Sequence, residues 1–419
     1  MSAATKLSPR ARVALALEHA ASATSRRLGR GSGEMIGGKV ALRTHPGLLG
    51  EIAAGRALAC VSGTNGKTTT TRLLAAALST IGAVASNSGG ANMGPGVLHA
   101  LARRPYGAPG ALEVDELWLP RVAREVHPLA VVLLNVTRDQ LDRSNETRRI
   151  SGMWRSLGGE LAGCTAVANC DDPLVTYAAE GFESQVWVAA GQNWTADAMV
   201  CPSCGKLLER GPEYGWRCGH CELRRPTPDI EVLSPDTLRW RGMSVTVSLK
   251  LPGRVNTGNA AHAAAAAELL GVAPAAALAA MTSVEAVQGR YSEADLAPGR
   301  RGRLLLAKNP AGWVEMLELL DTEPERPVII DFNSRTADGR DPSWLWDVPF
   351  ERLRGRLVLV TGERREDVGV RLAYAQVPHT LYASAEQAAA AAPPGVLDVV
   401  ANYTAFRDLL VRTTPRGKA

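Results

Sequence analysis

The segment Val61–Thr70 reads VSGTNGKTTT. Two glycines allow a turn whose backbone N–H groups close around an anion. A lysine followed by threonines adds a cation for phosphate oxygens and a hydroxyl for a divalent metal. Such a turn works as a phosphate cradle when a strand delivers it and a helix N-terminus receives it. The flanking residues read that way: Ala57–Ser62 as a strand, Gly63–Gly66 as the turn, and a helix from about Lys67 to Ile81. Gly63, Thr64, Asn65, Gly66, Lys67, Thr68 and Thr69 are therefore candidate ATP-binding residues, with Lys67 on the β- and γ-phosphates and Thr68 on Mg²⁺. The usual G-x-x-x-x-G-K-[ST] spacing would place glycine at position 61, where Val61 stands. The competing reading is a Gly-rich turn without a ligand.

A second group of chemically capable residues is Cys201-x₂-Cys204 and Cys218-x₂-Cys221, separated by thirteen residues. Each CxxC makes a tight knuckle with two thiolates, and two knuckles close a tetrahedral Zn²⁺ site. Four protein ligands leave no open position, so the metal is structural, clamping an insertion (195–228) too small for its own core. A redox pair, an iron–sulfur site and unliganded thiols are the alternatives. His220 lies between two of the cysteines and reads as a bystander or as a substitute ligand. Arg217, Arg224 and Arg225 would permit nucleic-acid binding, but only Tyr214 and Trp216 interleave with them, which favours a scaffold. Cys60, Cys164 and Cys170 sit in apolar surroundings and read as buried reduced thiols. Seven cysteines with two CxxC pairs suit metal chemistry in a reducing cytosol better than a disulfide framework.

The elements that must position these groups follow from the apolar pattern. The 419 residues are 46% hydrophobic and 21% charged, with mean hydropathy −0.06, which suits a folded chain of two or three domains. The net charge of +5 and pI ≈ 8.9 are compatible with anionic substrates or a membrane surface without naming either. The most apolar stretch, 260–281, is interrupted by His262, Glu268 and Pro274, which excludes a transmembrane helix. Lys6, Arg10, Arg12 and then Glu18 argue against a secretory signal and for a cytosolic protein. Ala83–Ser86, Ala130–Asn135 and Thr165–Asn169 read as further strands, with a helix between the last two. Thr237–Trp240 and Met243–Leu249 are strand-like, and Thr257–Leu270 is an Ala-rich helix. Leu304–Ala307, Val328–Asp331, Leu357–Thr361 and Leu397–Ala401 restart the alternation. The expected fold class is α/β, with a doubly wound, mostly parallel sheet in a central domain (1–295) and a smaller α/β domain (296–419). The boundary is expected near 293–302, where APGRRGR is linker-like.

The ordered set resembles the Mur ligase family, which includes the folylpolyglutamate synthases. GTNGKTTT resembles its ATP loop, and Glu113 in LEVDE its Mg²⁺-binding carboxylate. NVTRDQLDR (135–143) resembles its N-x-x-x-D-H-x-D-R segment, and NCDDP (169–173) its N-x-D-D-P. Asn256 and Asn259 resemble the asparagine pair near the adenine, and Gly289–Arg290 the Gly-Arg that reaches the phosphates. The sequence departs from the family at Gln140, where a metal-binding histidine is expected, and around Trp154 and Arg155, where the carbamylated lysine is missing.

Only about 60 residues precede Gly63, too few for the family's UDP-gripping domain, which suits a lipid-linked substrate presented at the membrane. LAKNPAGW (306–313), ADGRDPSWLWDVPFE (337–351), the cysteine insertion and RDQLDR resemble the MurT-type branch. That resemblance implies a cytoplasmic ligase subunit, at the inner face of the membrane when on its substrate. It would activate the D-glutamate α-carboxylate of lipid II with ATP and amidate it with ammonia from a GatD-type glutaminase partner. It also implies that an aspartate of the C-terminal domain completes the partner's Cys–His site. Asp341 is the choice over Asp338 and Asp347, with a helix N-cap before Pro342 as its other reading and a turn before Gly339 as that of Asp338. Lys308 and Asn309 either bind ligand or shape a turn, and Trp344 and Trp346 pack in the core or at an interface. Asn333, just past a strand end, is a candidate nucleotide or substrate contact. The runners-up are an amino-acid-adding ligase and a nucleic-acid-binding zinc-ribbon ATPase.

Overall fold

The computed structural model describes residues 7–29, 31–87, 89–138, 147–191, 194–212, 215–284 and 291–413. Two compact units result, one of Met1–Val136 and Glu146–Glu285, the other of Thr137–Asn145 and Ala286–Ala419.

Among the described residues the first unit is built on a nine-stranded sheet. In spatial order its strands are Met243–Thr246, Thr237–Trp240, Ile230–Ser234, Ser184–Ala189, Thr165–Asn169, Ala130–Leu133, Leu58–Ser62, Gly110–Glu113 and Ala85–Ser86. All neighbours are parallel except for the antiparallel pairs at the Met243 edge. Leu58–Ser62 and Ala130–Leu133 are continuous apolar runs, buried along their whole length, as strands covered by helices on both faces must be. Three of the strands carry no strong apolar signal: Gly110–Glu113, Ser184–Ala189 and Ile230–Ser234. They are recruited by pairing with stronger neighbours. The Ala-rich helix runs over Arg254–Leu269 and packs on Lys67–Leu78. Its small side chains permit the close approach, and a Cβ on Gly258 would lie 2.9 Å from Ala190 Cβ.

The N-terminal residues form three helices, Pro9–Arg27, Glu34–Thr44 and Leu48–Ala53, packed on the first unit. Two glycines of the 27–43 stretch are explained by contact: a Cβ on Gly38 would fall 2.0 Å from Pro95 O, and one on Gly37 would fall 2.0 Å from Ser22 Oγ. Beneath that crossing Glu18 is fully buried. It accepts hydrogen bonds from Ser22 Oγ (2.8 Å) and His99 Nδ1 (2.6 Å), with Arg103 at 3.6 Å.

In the second unit the sheet order is Tyr291–Ala297, Arg300–Leu306, Gly395–Ala401, Val328–Asp331, Val358–Thr361 and His379–Leu381, parallel except for the first pair. This corrects the linker reading of 296–302. Tyr291–Ala297 pairs with Arg300–Leu306 as a hairpin, and Gly299 turns it at φ 71°. Gly302 admits Leu296, whose Cδ1 lies 2.6 Å from where a Cβ would be. The Arg-Gly composition reflects the hairpin turn, a close packing point and a buried Arg303 that pairs with Asp398. The unit boundary accordingly lies earlier than 293–302, at 285/286.

Burial alone would push the Glu18 carboxyl up, but His99, Ser22 and Arg103 together outweigh it and hold it below its ordinary value. A carboxyl lowered in the folded state adds stability above its unfolded value of 4.5 and loses it as pH falls through the folded value. Glu18→Gln is expected to lower stability at pH 7 by about 1–3 kcal/mol, with the gap to the parent protein closing below pH ~4 in urea titrations. A gap independent of pH would show that packing, not charge, is what Glu18 supplies.

Candidate nucleotide and zinc sites

The turn 63–66 leaves the C-terminal end of Leu58–Ser62, the strand flanked by Ala130–Leu133 and Gly110–Glu113. Val61 belongs to that strand, paired with Val132 and Glu113, so the missing first glycine of the longer motif falls where no turn is made. Gly63 (φ 143°) and Gly66 (φ 84°) adopt conformations that favour glycine, and both are crowded. A Cβ on Gly63 would lie 2.9 Å from Leu134 Cβ, and one on Gly66 would lie 2.7 Å from Asn259 Oδ1. No side chain caps the helix Lys67–Leu78, whose N-terminus the turn opens, and an anion at that end would meet its first-turn N–H groups. Asn135 holds the turn from the next strand. Its carbonyl accepts from Thr64 N (3.0 Å), its Oδ1 accepts from Asn65 N (2.8 Å), and its Nδ2 donates to Asn65 O (3.1 Å).

Lys67 Nζ donates to Gly63 O (2.5 Å) and Thr64 O (3.3 Å) and pairs with Glu116 Oε2 at 3.1 Å. Glu116 was legible in LEVDE but passed over, because Glu113 in the same run drew the metal reading. The indole of the fully buried Trp154 donates to Glu116 O at 3.0 Å. Where the family's lysine is missing, this chain therefore holds the Glu116 segment with an indole. Glu113 ends its strand with its backbone bonded both ways by Asn87 (2.8 and 2.7 Å), while its buried Oε2 has no hydrogen-bond partner. An orphaned carboxylate oxygen at a strand end, with the half-buried Thr68 in the loop, suits a hard cation such as Mg²⁺. Burial lowers the Arg72 guanidinium, which the charge of Glu113 partly restores.

Asn259 Oδ1 accepts from Thr70 Oγ1 (3.2 Å) and its Nδ2 donates to Asn256 Oδ1 (3.3 Å), so the asparagine pair sits against the loop's second glycine and the helix it opens. Asp172 caps the helix Pro173–Ala179 through Leu174 N (2.8 Å) and accepts from Val136 N (2.9 Å), tying NCDDP to the segment that holds the turn. Gln140, Arg143, Gly289 and Arg290 lie outside the described residues.

The four cysteines of the insertion come together with all Sγ atoms within 4.8 Å of one another. The closest pairs are Cys204–Cys218 at 3.5 Å and Cys201–Cys221 at 3.6 Å. Tetrahedral zinc with Zn–S near 2.3 Å spaces sulfurs about 3.8 Å apart, so the set fits the metal. The His220 N–H donates to Cys218 Sγ (3.4 Å) and brings that thiol down to about 6, while burial pushes Cys201 up to about 12. The short strands Leu208–Arg210 and Trp216–Cys218 carry the knuckles. The module is docked, with Trp216 Nε1 donating to Cys170 O (3.0 Å) and Arg225 pairing with the fully buried Asp171 at 2.7 Å. Arg217 pairs with Glu209. Two of the three arginines that would serve nucleic acid are thus engaged internally.

Within the second unit the candidates separate. Asn333 is spent internally: its N bonds Asn402 Oδ1, its Nδ2 bonds Thr404 Oγ1, and its Oδ1 accepts from Glu363 N (3.0 Å). It lines a cavity of ≈ 540 Å³ at the carboxyl ends of Val328–Asp331 and Val358–Thr361, where burial pushes Asp331 up to about 6. Asp338 is buried and accepts from Thr404 N (2.8 Å), Thr404 Oγ1 and Arg335 N (3.1 Å). Asp341 is exposed and bonds only locally, accepting from Ser343 N (2.9 Å). It precedes a 3₁₀ turn, Ser343–Asp347, not an α-helix. Asn309 caps the helix Pro310–Asp321 through Gly312 N (2.8 Å), the turn-shaping reading, and Lys308 is half-buried beside it. Trp344 is in the core against Phe332, whereas Trp346 is 53% exposed and stacks on Tyr374.

Comparison with known proteins agrees with this layout. Residues 61–267 match the Mur ligase middle domain, and residues 306–406 match the MurT ligase C-terminal family. The chain is 29% identical over 379 residues to the MurT subunit of lipid II isoglutaminyl synthase (glutamine-hydrolyzing) of Staphylococcus aureus, covering 84% of this chain and 85% of that one. It is 29% identical over 352 residues to the Streptococcus pneumoniae MurT subunit, covering 78% of each. Among solved structures, a pseudomurein peptide ligase type C from Methanothermus fervidus superposes with TM-score 0.67 at 18% identity, over 85% of this chain and 79% of that one. MurF from Acinetobacter baumannii gives TM-score 0.65 at 16% identity, over 89% and 80%.

If the four thiolates hold zinc, the purified chain is expected to carry close to one zinc per molecule. Cys204→Ser should release it and expose 195–228 to limited proteolysis while the rest of the first unit stays protected. Metal-free wild type that resists protease equally would show that the knuckles stand without a metal.

Proposed function

The chain belongs to the Mur ligase family, and from that premise we propose that it is the ATP-dependent ligase subunit of a lipid II amidating enzyme working with a GatD-type glutaminase. The observation that carries this reading is the coexistence, in one chain, of a built phosphate turn and a MurT-type C-terminal segment.

In this reading Gly63–Thr69 cradle the ATP phosphates, and Lys67 compensates charge on the β- and γ-oxygens. Asn256 and Asn259 support the nucleotide side of the helix. Thr68 and Glu113 would hold Mg²⁺, which neutralises phosphate charge when bound. The γ-phosphoryl group passes to the D-glutamate α-carboxylate, giving an acyl phosphate and ADP. Ammonia then attacks the acyl carbon, phosphate leaves with its bonding pair, and the nitrogen loses a proton to give D-isoglutamine.

The ammonia must be made elsewhere. Cys60, Cys164 and Cys170 are buried with thiols raised by burial, Cys164 to about 12, and the other four cysteines form the knuckle cluster. A buried, protonated thiol is no nucleophile, so every cysteine of the chain has a role other than glutamine hydrolysis. Asp341, exposed and bonded within its own turn, is the residue we assign to orient the partner's histidine, with the C-terminal domain (296–419) as the docking domain. The substrate places the enzyme in the cytoplasm at the inner membrane face.

ADP release coupled to new amide is expected only with lipid II, the glutaminase and glutamine, or with ammonium replacing the last two. Lys67→Ala should abolish both routes with the fold intact by circular dichroism. Asp341→Asn should cut the glutamine route at least about a hundredfold while ammonium still supports product. Equal loss by both routes would remove Asp341 from the partner's site. No ADP formed in step with amide would remove the whole reading.

A further inference from the structure

Lys67 has a competitor for the phosphates it is meant to meet. The Glu116 carboxylate lies 3.1 Å from its Nζ, with both side chains close to nine-tenths buried or more (7% and 11% exposed). The backbone that carries this carboxylate is fixed from behind. Trp154 Nε1 holds the Glu116 carbonyl, and Asp115 folds the following turn by accepting from Leu117 N, Trp118 N and Leu119 N. Glu113, three residues earlier and with an unpartnered buried oxygen, brings a second carboxylate to the same end of the sheet. A buried ion pair contributes little to stability beyond an apolar replacement, so the reason for an acid here is sought in what Lys67 does.

Resting on the nucleotide reading above, we propose that Glu116 is a specificity-determining positioning residue that makes the phosphate turn select metal-complexed nucleotide over the bare polyanion. A phosphate oxygen approaching Lys67 must displace a carboxylate that remains within a few ångström. Free ATP meets that negative charge uncompensated. ATP carrying a divalent cation brings its own compensation, and the cation gains oxygen ligands from the acidic strand end. At the effective dielectric of about 20 that suits protein sites, one extra like charge at such range is worth more than tenfold in affinity.

The test is calorimetric binding of ATP to the full chain in excess EDTA and in saturating Mg²⁺. Wild type is expected to prefer the magnesium complex. Glu116→Gln should bind ATP in EDTA about tenfold or more tighter than wild type, with the difference shrinking below about threefold in Mg²⁺. Glu116→Asp, which keeps the charge, should retain the preference. Glu116→Ala leaves the Trp154 bond to the backbone carbonyl intact and carries the same expectation as the glutamine variant should that one prove too unstable to measure. Unchanged or weaker EDTA binding in the neutral variants, or loss of the preference in Glu116→Asp, would overturn the proposal and leave the pair structural. Wild type that binds no nucleotide under either condition would instead sink the phosphate-turn reading itself.

Discussion

An anion cradle made of backbone N–H groups has no side chains to hold its shape, so its geometry must be imposed from outside. In this protein Asn135 does that, bonding Asn65 with both ends of its amide while its own carbonyl takes Thr64 N. Its neighbour Val136 is fixed by Asp172, whose neighbour Asp171 is fixed by Arg225 of the cysteine insertion. Each link is buried or half-buried, where a hydrogen bond lost leaves a desolvated group behind. The cysteine module is thus continuous with the wall of the phosphate-type turn through three hydrogen-bonded steps. This gives a small four-cysteine insertion a reason to sit in the middle of a ligase domain without invoking a ligand of its own.

The second unit uses its carboxylates in two ways. Asp338 spends both oxygens on Thr404 and the 335 backbone, and Asp398 is enclosed by Arg303 and Arg326. These are groups whose removal would leave buried partners unsatisfied. Asp341, three residues from Asp338, is exposed and accepts from Ser343 N, and that bond holds its carboxyl below the ordinary value. One loop therefore supplies a rigid base and an exposed charge.

Much of this was legible in the sequence, and what was not has physical reasons. The phosphate turn, the cysteine knuckles and the central strands announce themselves because each depends on residue types at fixed spacing: glycine where φ is positive, thiolates in pairs, and unbroken apolar runs. Gly110–Glu113 and Ser184–Ala189 did not, since each is stabilised by the strands paired on both of its sides more than by its own composition. The stretch 296–302 misled because arginine and glycine look like a linker, although here the glycine admits Leu296 and the arginines lie on a hairpin. Asn333 was placed correctly at a strand end, but spacing cannot tell whether an amide faces a ligand or its own chain. Glu116 was hidden for a related reason, since its importance lies in a contact made across 49 residues of sequence.

The contrast between Glu113 and Glu116 shows how three residues divide one task. Both acids sit where Gly110–Glu113 ends, yet one keeps a buried oxygen without a hydrogen bond while the other is paired with the loop lysine. A carboxylate oxygen buried without a hydrogen bond is costly unless a charge completes it, and beside Glu113 the Arg72 guanidinium supplies part of that charge. A lysine that already has a carboxylate must trade it for any phosphate it takes. A cation entering with a nucleotide answers both demands, satisfying the bare oxygen and offsetting the charge that Lys67 releases. If Glu116 acts as proposed, metal and nucleotide binding are linked through the local charge balance of LEVDE.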